Sequence, residues 1–514
     1  MLNPTLLWMV FALYLLFMVT VSTLTARRQA RQGADARSFL TGSSSISWPM
    51  LVMTYIASLM STWVFFAGPG AYYRAGLGYW LSEMSYICLF PVITHFTMNK
   101  IWVLNTSRHY VTPADFFCDR FRSRALRLVL GLVFLSASFP YVASVLMAIG
   151  KAGDIATGGQ VGYEAIVITV GIVIVLLTML GGMRSVATSD TLQGLLFISI
   201  LLLIAGCCLW VGFGGSLPDA LSTIWQNTNS WFSYPGPDGW VPYAARFGYP
   251  FSCAIGWTIM LPHVFVRAGY SGQDLNSQRK LMFLTPILQG IVWTGTMLIG
   301  LIGIALLPGL STSDTELIIP YLIQHVISGV YPTLAILLMI GFFLGAVAVG
   351  ISTADSFLLV AGSIVYQDFL EHLFHWKLTE RGRMRTVRVV ILLIGVISIL
   401  FALNPPDLIY TLIMFSIALV MPLFVLVVLA LYWPRATRMG ALCGAIAGTI
   451  VVLMTYFVWN VGDVWYGAFG LLAAAVVMVL VSLLDRSPQP EQAEFQEALQ
   501  KGMERFYFLP KQSQ

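Results

Sequence analysis

Runs of about twenty apolar residues recur along this 514-residue chain, and twenty is about the number an α-helix needs to cross the hydrocarbon of a bilayer. Thirteen such runs fall at 5–26, 47–73, 78–98, 127–150, 161–181, 191–213, 243–266, 282–307, 328–365, 386–404, 406–432, 439–460 and 464–484. Only 10% of the residues are charged, against about 25% in soluble domains. The expected fold class is therefore an all-α membrane protein with about thirteen transmembrane helices in one domain, 1–484. No linker divides it. The polar tail, 485–514, reads in part as a short amphipathic surface helix.

The charges test the count. An odd number of spans puts the termini on opposite sides of the bilayer. With the N-terminus outside, the inner segments would be 27–46, 99–126, 182–190, 267–281, 366–385, 433–438 and the tail. These and their immediate flanks hold 25 of the 28 Lys and Arg residues, as the retention of positive charge on the cytoplasmic side requires. One missed span would switch the side of every later loop. The first run, Leu6 to Thr25, has its arginines after it rather than before it. A cleaved signal peptide has the opposite arrangement, so this helix is expected to be retained. The expected location is the cell inner (plasma) membrane, N-terminus outside and C-terminus cytoplasmic.

Several function classes lack their signatures. There is no GxxxxGK[ST] loop for ATP and no HExxH or GxSxG, so neither an ATP-driven pump nor an enzyme is expected. The basic residues form no patch for nucleic acid. The six cysteines show no CxxC spacing and read as small core hydrophobes.

Polarity buried inside helices is what remains. The second run holds Ser58, Ser61 and Thr62 near mid-membrane, followed by Gly68-Pro69-Gly70; the seventh holds Gly256 and Pro262. Such interruptions either kink a helix and let it pack closely or free backbone groups for an ion or solute. With the first span set aside, spans two to six and seven to eleven form two blocks of five. The second block starts from the opposite face, so the blocks at about 47–213 and 243–432 form an inverted repeat by topology. Each block opens with the interrupted helix, the arrangement that points to a transport site at the midplane.

In the ninth run, Val349, Ser352, Thr353 and Ser356 share a helix face, with Asp355 at its edge. The hydroxyls could bond back to carbonyls one turn earlier, or turn outward with the Val349 carbonyl around a small hard cation. Back-bonding does not account for Asp355, since a carboxylate in the membrane needs a partner. Asp190, at the start of the sixth run, is either a second acid of the site or a helix N-cap beside Thr191.

On "YIASLMSTW", "GGMRSVATSDTLQ", "LPHVFVR" and "GISTADSFLL" the chain resembles the sodium:solute symporter family, and the order of these motifs spans nearly the whole sequence. The resemblance implies a LeuT-type 5+5 inverted repeat with flanking helices, in which Na+ drives import of a small organic solute by alternating access. Its common sodium site, carried onto this chain, uses the carbonyls of Ala57, Met60 and Val349 and the side chains of Ser352 and Thr353. A second cation site of some members would fall on Asp190, Ser352, Asp355 and Ser356. Members with two hydroxyls after the Ser-Thr pair have Ser where Asp355 stands, so the extra acid either strengthens that site or couples a proton. The solute pocket would be lined by Ser58, Ser61, Trp63, Glu83 and Trp257. An ionised Glu83 there would disfavour simple monocarboxylates and favour a polyol, amine or zwitterion; alternatively Glu83 faces outer water.

Two other readings use the same residues: a transporter-like sensor that reports ligand to a signalling partner, and a proton-driven carrier working through Asp355.

Overall fold

The computed structural model describes residues 2–31, 40–42, 46–227, 259–405, 408–459, 461, 463–487 and 489–508. Among them are eleven helices long and apolar enough to cross a membrane. The second and seventh expected spans are missing from that number for separate reasons. The second is broken in two, and most of the seventh, residues 243–258, lies outside the described residues.

The helices used below are α1 (Pro4–Arg31), α2 (Trp48–Met60), α3 (Ala67–Ala75), α4 (Trp80–Phe96), α5 (Met98–Arg108), α6 (Pro113–Phe121), α7 (Arg124–Thr157), α8 (Tyr163–Gly181), α9 (Met183–Phe213), α10 (Leu217–Asn227), α11 (Pro262–Tyr270), α12 (Leu275–Leu306), α13 (Pro332–Ile364), α14 (Glu380–Leu403), α15 (Ile409–Val420), α16 (Leu423–Tyr432), α17 (Arg438–Met454), α18 (Asp463–Leu484) and α19 (Pro490–Met503).

The break in the second span lies earlier than Gly68-Pro69-Gly70. α2 ends at Met60, Ser61 takes a left-handed backbone with φ 49°, and a 3-10 turn covers Thr62–Phe65 before α3 begins. Pro69 explains why the helix restarts rather than runs through. It has no N–H for the carbonyl of Phe65, and its ring would press on that carbonyl. Ser61 bends without a glycine because its hydroxyl accepts from the Trp63 amide at 3.2 Å, which caps the new turn. The two glycines sit inside α3. A Cβ on Gly70 would lie 2.8 Å from the carbonyl oxygen of Thr315, so their absent side chains let the outer arm dock.

α13 is the axis of the bundle. Every residue from Gly345 to Ile364 is buried, as a helix apolar on all sides should be. It packs against α9, α7 and α2. Helices at the periphery, such as α1 and α18, turn Leu13, Leu16 and Leu483 outward, the surface lipid would cover.

The loops beyond the spans are structured. The segment 99–126 forms most of α5, then α6 and the start of α7. α19 lies over α5 and α6 and buries Phe495 and Leu499. At the opposite end, the segment after α12 carries Glu316, whose side chain is fully buried. It accepts from Lys151 Nζ at 3.0 Å and from the backbone N–H of Tyr410 at 3.1 Å.

Candidate functional site

Where α2 ends against the middle of α13, five oxygens converge. Ser352 Oγ lies 2.9 Å from the carbonyl of Ala57 and 2.9 Å from that of Val349. Thr353 Oγ1 lies 3.0 Å from the Val349 carbonyl and 3.4 Å from that of Ser58. The back-bonding geometry and the bridge to α2 therefore coexist: each hydroxyl touches a carbonyl of its own helix and one of the broken helix. All five residues are buried. Three carbonyls and two hydroxyls, neutral and hard, make a donor set suited to an alkali cation.

The partner of Thr353 is Ser58, and among the described residues no hydrogen bond joins Met60 to α13. Met60 is buried in the last turn of α2. The stop at Ser61 leaves the carbonyls of the last turn, Ala57 to Met60, without partners in their own helix.

A second polar group adjoins the first. Asp190 Oδ2 accepts from Thr54 Oγ1, from Ser58 Oγ at 3.3 Å and from Arg267 Nη2 at 3.2 Å. Arg267 also donates to Ser356 Oγ at 2.5 Å, to Thr54 Oγ1 at 3.0 Å and to the His263 carbonyl at 3.2 Å. Ser356 Oγ is 3.1 Å from Ser58 Oγ, bonds back to the Ser352 carbonyl at 2.6 Å and reaches Asp355 Oδ1 at 3.2 Å. His263 Nε2 donates to the Ser58 carbonyl at 3.2 Å. Asp190 Oδ1 is buried with no hydrogen-bond partner among the described residues.

Two sequence expectations change here. Asp190 is no N-cap: α9 begins eight residues earlier than the expected span, at Met183, and Asp190 lies inside it. Arg267, counted above among the charges of an inner loop, is fully buried in α11 beside Asp190. It was missed as a site residue. The available signal was its place four residues after His263 in "LPHVFVR", on the same helix face.

The remaining candidates separate. Ser61 and Trp63 stand at the break. The Trp63 ring is 5.3 Å from that of Tyr410, the residue whose amide Glu316 holds. The Tyr141 hydroxyl faces the Ser61 side chain but closes no well-formed hydrogen bond, and Thr62 Oγ1 is also buried without a partner among the described residues. Glu83 is buried in the first turn of α4 and does not face water. Trp257 lies outside the described residues.

Comparison with known proteins gives a consistent result. The model of the family described as "Sodium:solute symporter family" matches residues 39–448. The chain is 28% identical to a sodium/pantothenate symporter of Escherichia coli, over 92% of this chain and 94% of that one. A similar protein of Haemophilus influenzae is also 28% identical, over 80% and 82%. An osmoregulated proline transporter of Bacillus subtilis is 26% identical, over 89% and 91%. In fold, the structure matches a Na+-coupled sialic acid symporter solved in a substrate-bound outward-open state, with a TM-score of 0.75 at 18% identity, covering 94% of this chain and 98% of that one.

Proposed function

Since the chain belongs to the sodium:solute symporter family, and so is a multi-pass membrane protein that couples Na+ to the movement of a small solute, we propose that the oxygens of Ala57, Ser58, Val349, Ser352 and Thr353 hold the driving Na+. Sodium is transported here as co-substrate. The observation that carries the reading is the pair of hydroxyls on α13 that reach carbonyls of α2 some 295 positions away in the chain. An ion seated there ties the end of the broken helix to the bundle axis, and so fixes Ser61, Thr62 and Trp63 one turn further on.

The solute is a small organic molecule bound at the break. Thr62 Oγ1 and Tyr141 Oη have no hydrogen-bond partner among the described residues and can donate to an acceptor such as a carboxylate. Amino acids and hydroxy acids fit this description. Relatives named for pantothenate and proline share that group. A second monovalent cation would sit at the free Oδ1 of Asp190 with Asp355 and Ser356, adjoining Arg267. The repeats at about 47–213 and 243–432 rock against each other in alternating access, in an inner membrane with the C-terminus cytoplasmic.

Uptake into proteoliposomes tests the reading. Inward Na+ gradients should drive accumulation of one carboxylate-bearing solute in a panel of radiolabelled candidates, and equimolar K+ should not. Binding without accumulation would support the sensor reading instead. Sodium-independent uptake driven by a pH gradient would support the proton-coupled one.

A further inference from the structure

The buried cluster between α2, α9, α11 and α13 holds two carboxylates, Asp190 and Asp355, and one guanidinium, Arg267. His263 adds no charge. Its Nε2 is the donor to the Ser58 carbonyl, and a second proton on Nδ1 would be buried with no acceptor among the described residues. From α1, Tyr14 approaches the acids and accepts from Gln193 Nε2 at 2.9 Å. With both acids ionised the cluster would carry one uncompensated negative charge, which burial disfavours and which a bound cation or a proton on Asp355 would neutralise. Asp190 Oδ1 is unpaired, while Oδ2 is saturated by Thr54, Ser58 and Arg267.

We propose that Arg267 is the specificity-determining residue that limits the cation at Asp190 and Asp355 to a single charge. This rests on the second-cation reading above. A monovalent ion completes the cluster. A divalent ion would leave it positive, and would face the guanidinium with twice the repulsion. Arg267 acts at the same time as a fixed ligand. It occupies Ser356 Oγ at 2.5 Å and one oxygen of Asp190, so the ion is left the Asp190 Oδ1 and Asp355 side of the cluster.

The test uses the purified full-length protein, with choline chloride holding ionic strength constant. Equilibrium binding of radiolabelled Na+ should give two ions per wild-type chain. Ser352→Ala with Thr353→Ala should remove one, and Asp355→Asn the other, because it makes the cluster neutral. CaCl2 should leave the wild-type Tm unchanged. In Arg267→Gln it should raise Tm by roughly 2 °C, and adding Asp355→Asn should abolish that rise. Arg267→Lys, which keeps the charge but not the forked contacts, should stay indifferent to calcium. The proposal is overturned by a single Na+ in the wild type, by two retained in Asp355→Asn, or by a wild-type response to calcium. It is also overturned if Arg267→Gln keeps its Ser352-dependent Na+ response and gains no calcium response. Should Arg267→Gln fail to fold, Arg267→Met is read the same way: a calcium response that Asp355→Asn abolishes supports the proposal, and no calcium response overturns it. Loss of the Ser352-dependent ion alone would count against the first site, not against the role of Arg267.

Discussion

Ser352 and Thr353 each divide one hydroxyl between two helices, so removing both oxygens should cost ion affinity more than fold. Neutral hydrogen-bonding groups contribute about 1 kcal/mol each. Ser352→Ala with Thr353→Ala should therefore raise the Na+ concentration for half-maximal uptake by roughly tenfold or more, while Tm in sodium-free buffer falls only by the few degrees that about 1 kcal/mol per hydroxyl implies. Asp190→Asn should behave differently. It weakens the pairing of a fully buried guanidinium, and breaking such a pair costs about 3–5 kcal/mol; Asp355 nearby offsets part of this. The expected result is a lower Tm even without sodium. Ser352, Thr353 and Asp355 were legible in the sequence because polar residues stand out in an apolar run and their spacing fixes a shared face. Arg267 was not, because an arginine near the end of a span looks the same whether it faces water or a buried acid.

At the level of elements, the break and the outer segment after α12 act together. Glu316 joins Lys151 of α7 to the start of α15, and Tyr410 there lies against Trp63. The arrangement ties the segment after α12 to the break. Lys151→Met leaves a buried carboxylate unpaired, so hydrogen exchange over 314–327 should become faster while α13 keeps its protection. Equal exchange in both proteins would show that the pair holds nothing shut. Close approach of α3 to α12 depends on Gly300, where a Cβ would lie 2.6 Å from the Pro69 carbonyl oxygen. Backbone cannot yield as a side-chain tip can, so Gly300→Ala should cost about 1–3 kcal/mol, read as a fall in Tm and in uptake. The existence of the second-span break was legible from its Ser, Gly and Pro content. Its position followed from the resemblance, which sets the free carbonyls at Ala57 and Met60 beside the observed stop, and not from Gly-Pro-Gly, since Pro69 acts on the carbonyl four residues before it.

Across the whole molecule, the tail helix α19 braces the end of the bundle formed by α5 and α6. Phe495 packs on Phe116 with ring centres 6.0 Å apart, Glu491 pairs with Arg438 at 3.0 Å, and Glu494 meets both Arg108 and Arg122. Hydrogen bonds from Arg108 and Arg122 hold the Glu494 carboxyl below the usual range. A depressed carboxylate contributes stability that is complete above its unfolded pKa and is lost as pH falls through the lower folded value. Limited proteolysis of the tail should thus accelerate only at pH below about 4, with Phe495→Ala accelerating it at every pH. The sequence by itself determined that helices cross a bilayer about thirteen times, and that hydroxyls and an acid occupy one face of the ninth. Hydrocarbon forces each span to satisfy its own backbone, so span length and periodicity are local properties that can be read along the chain. Only the tertiary structure decided that Thr353 meets the Ser58 carbonyl, and that Arg267 leaves the loop for Asp190. Contacts between residues hundreds of positions apart depend on how helices slide and rotate against one another, and close packing sets that register.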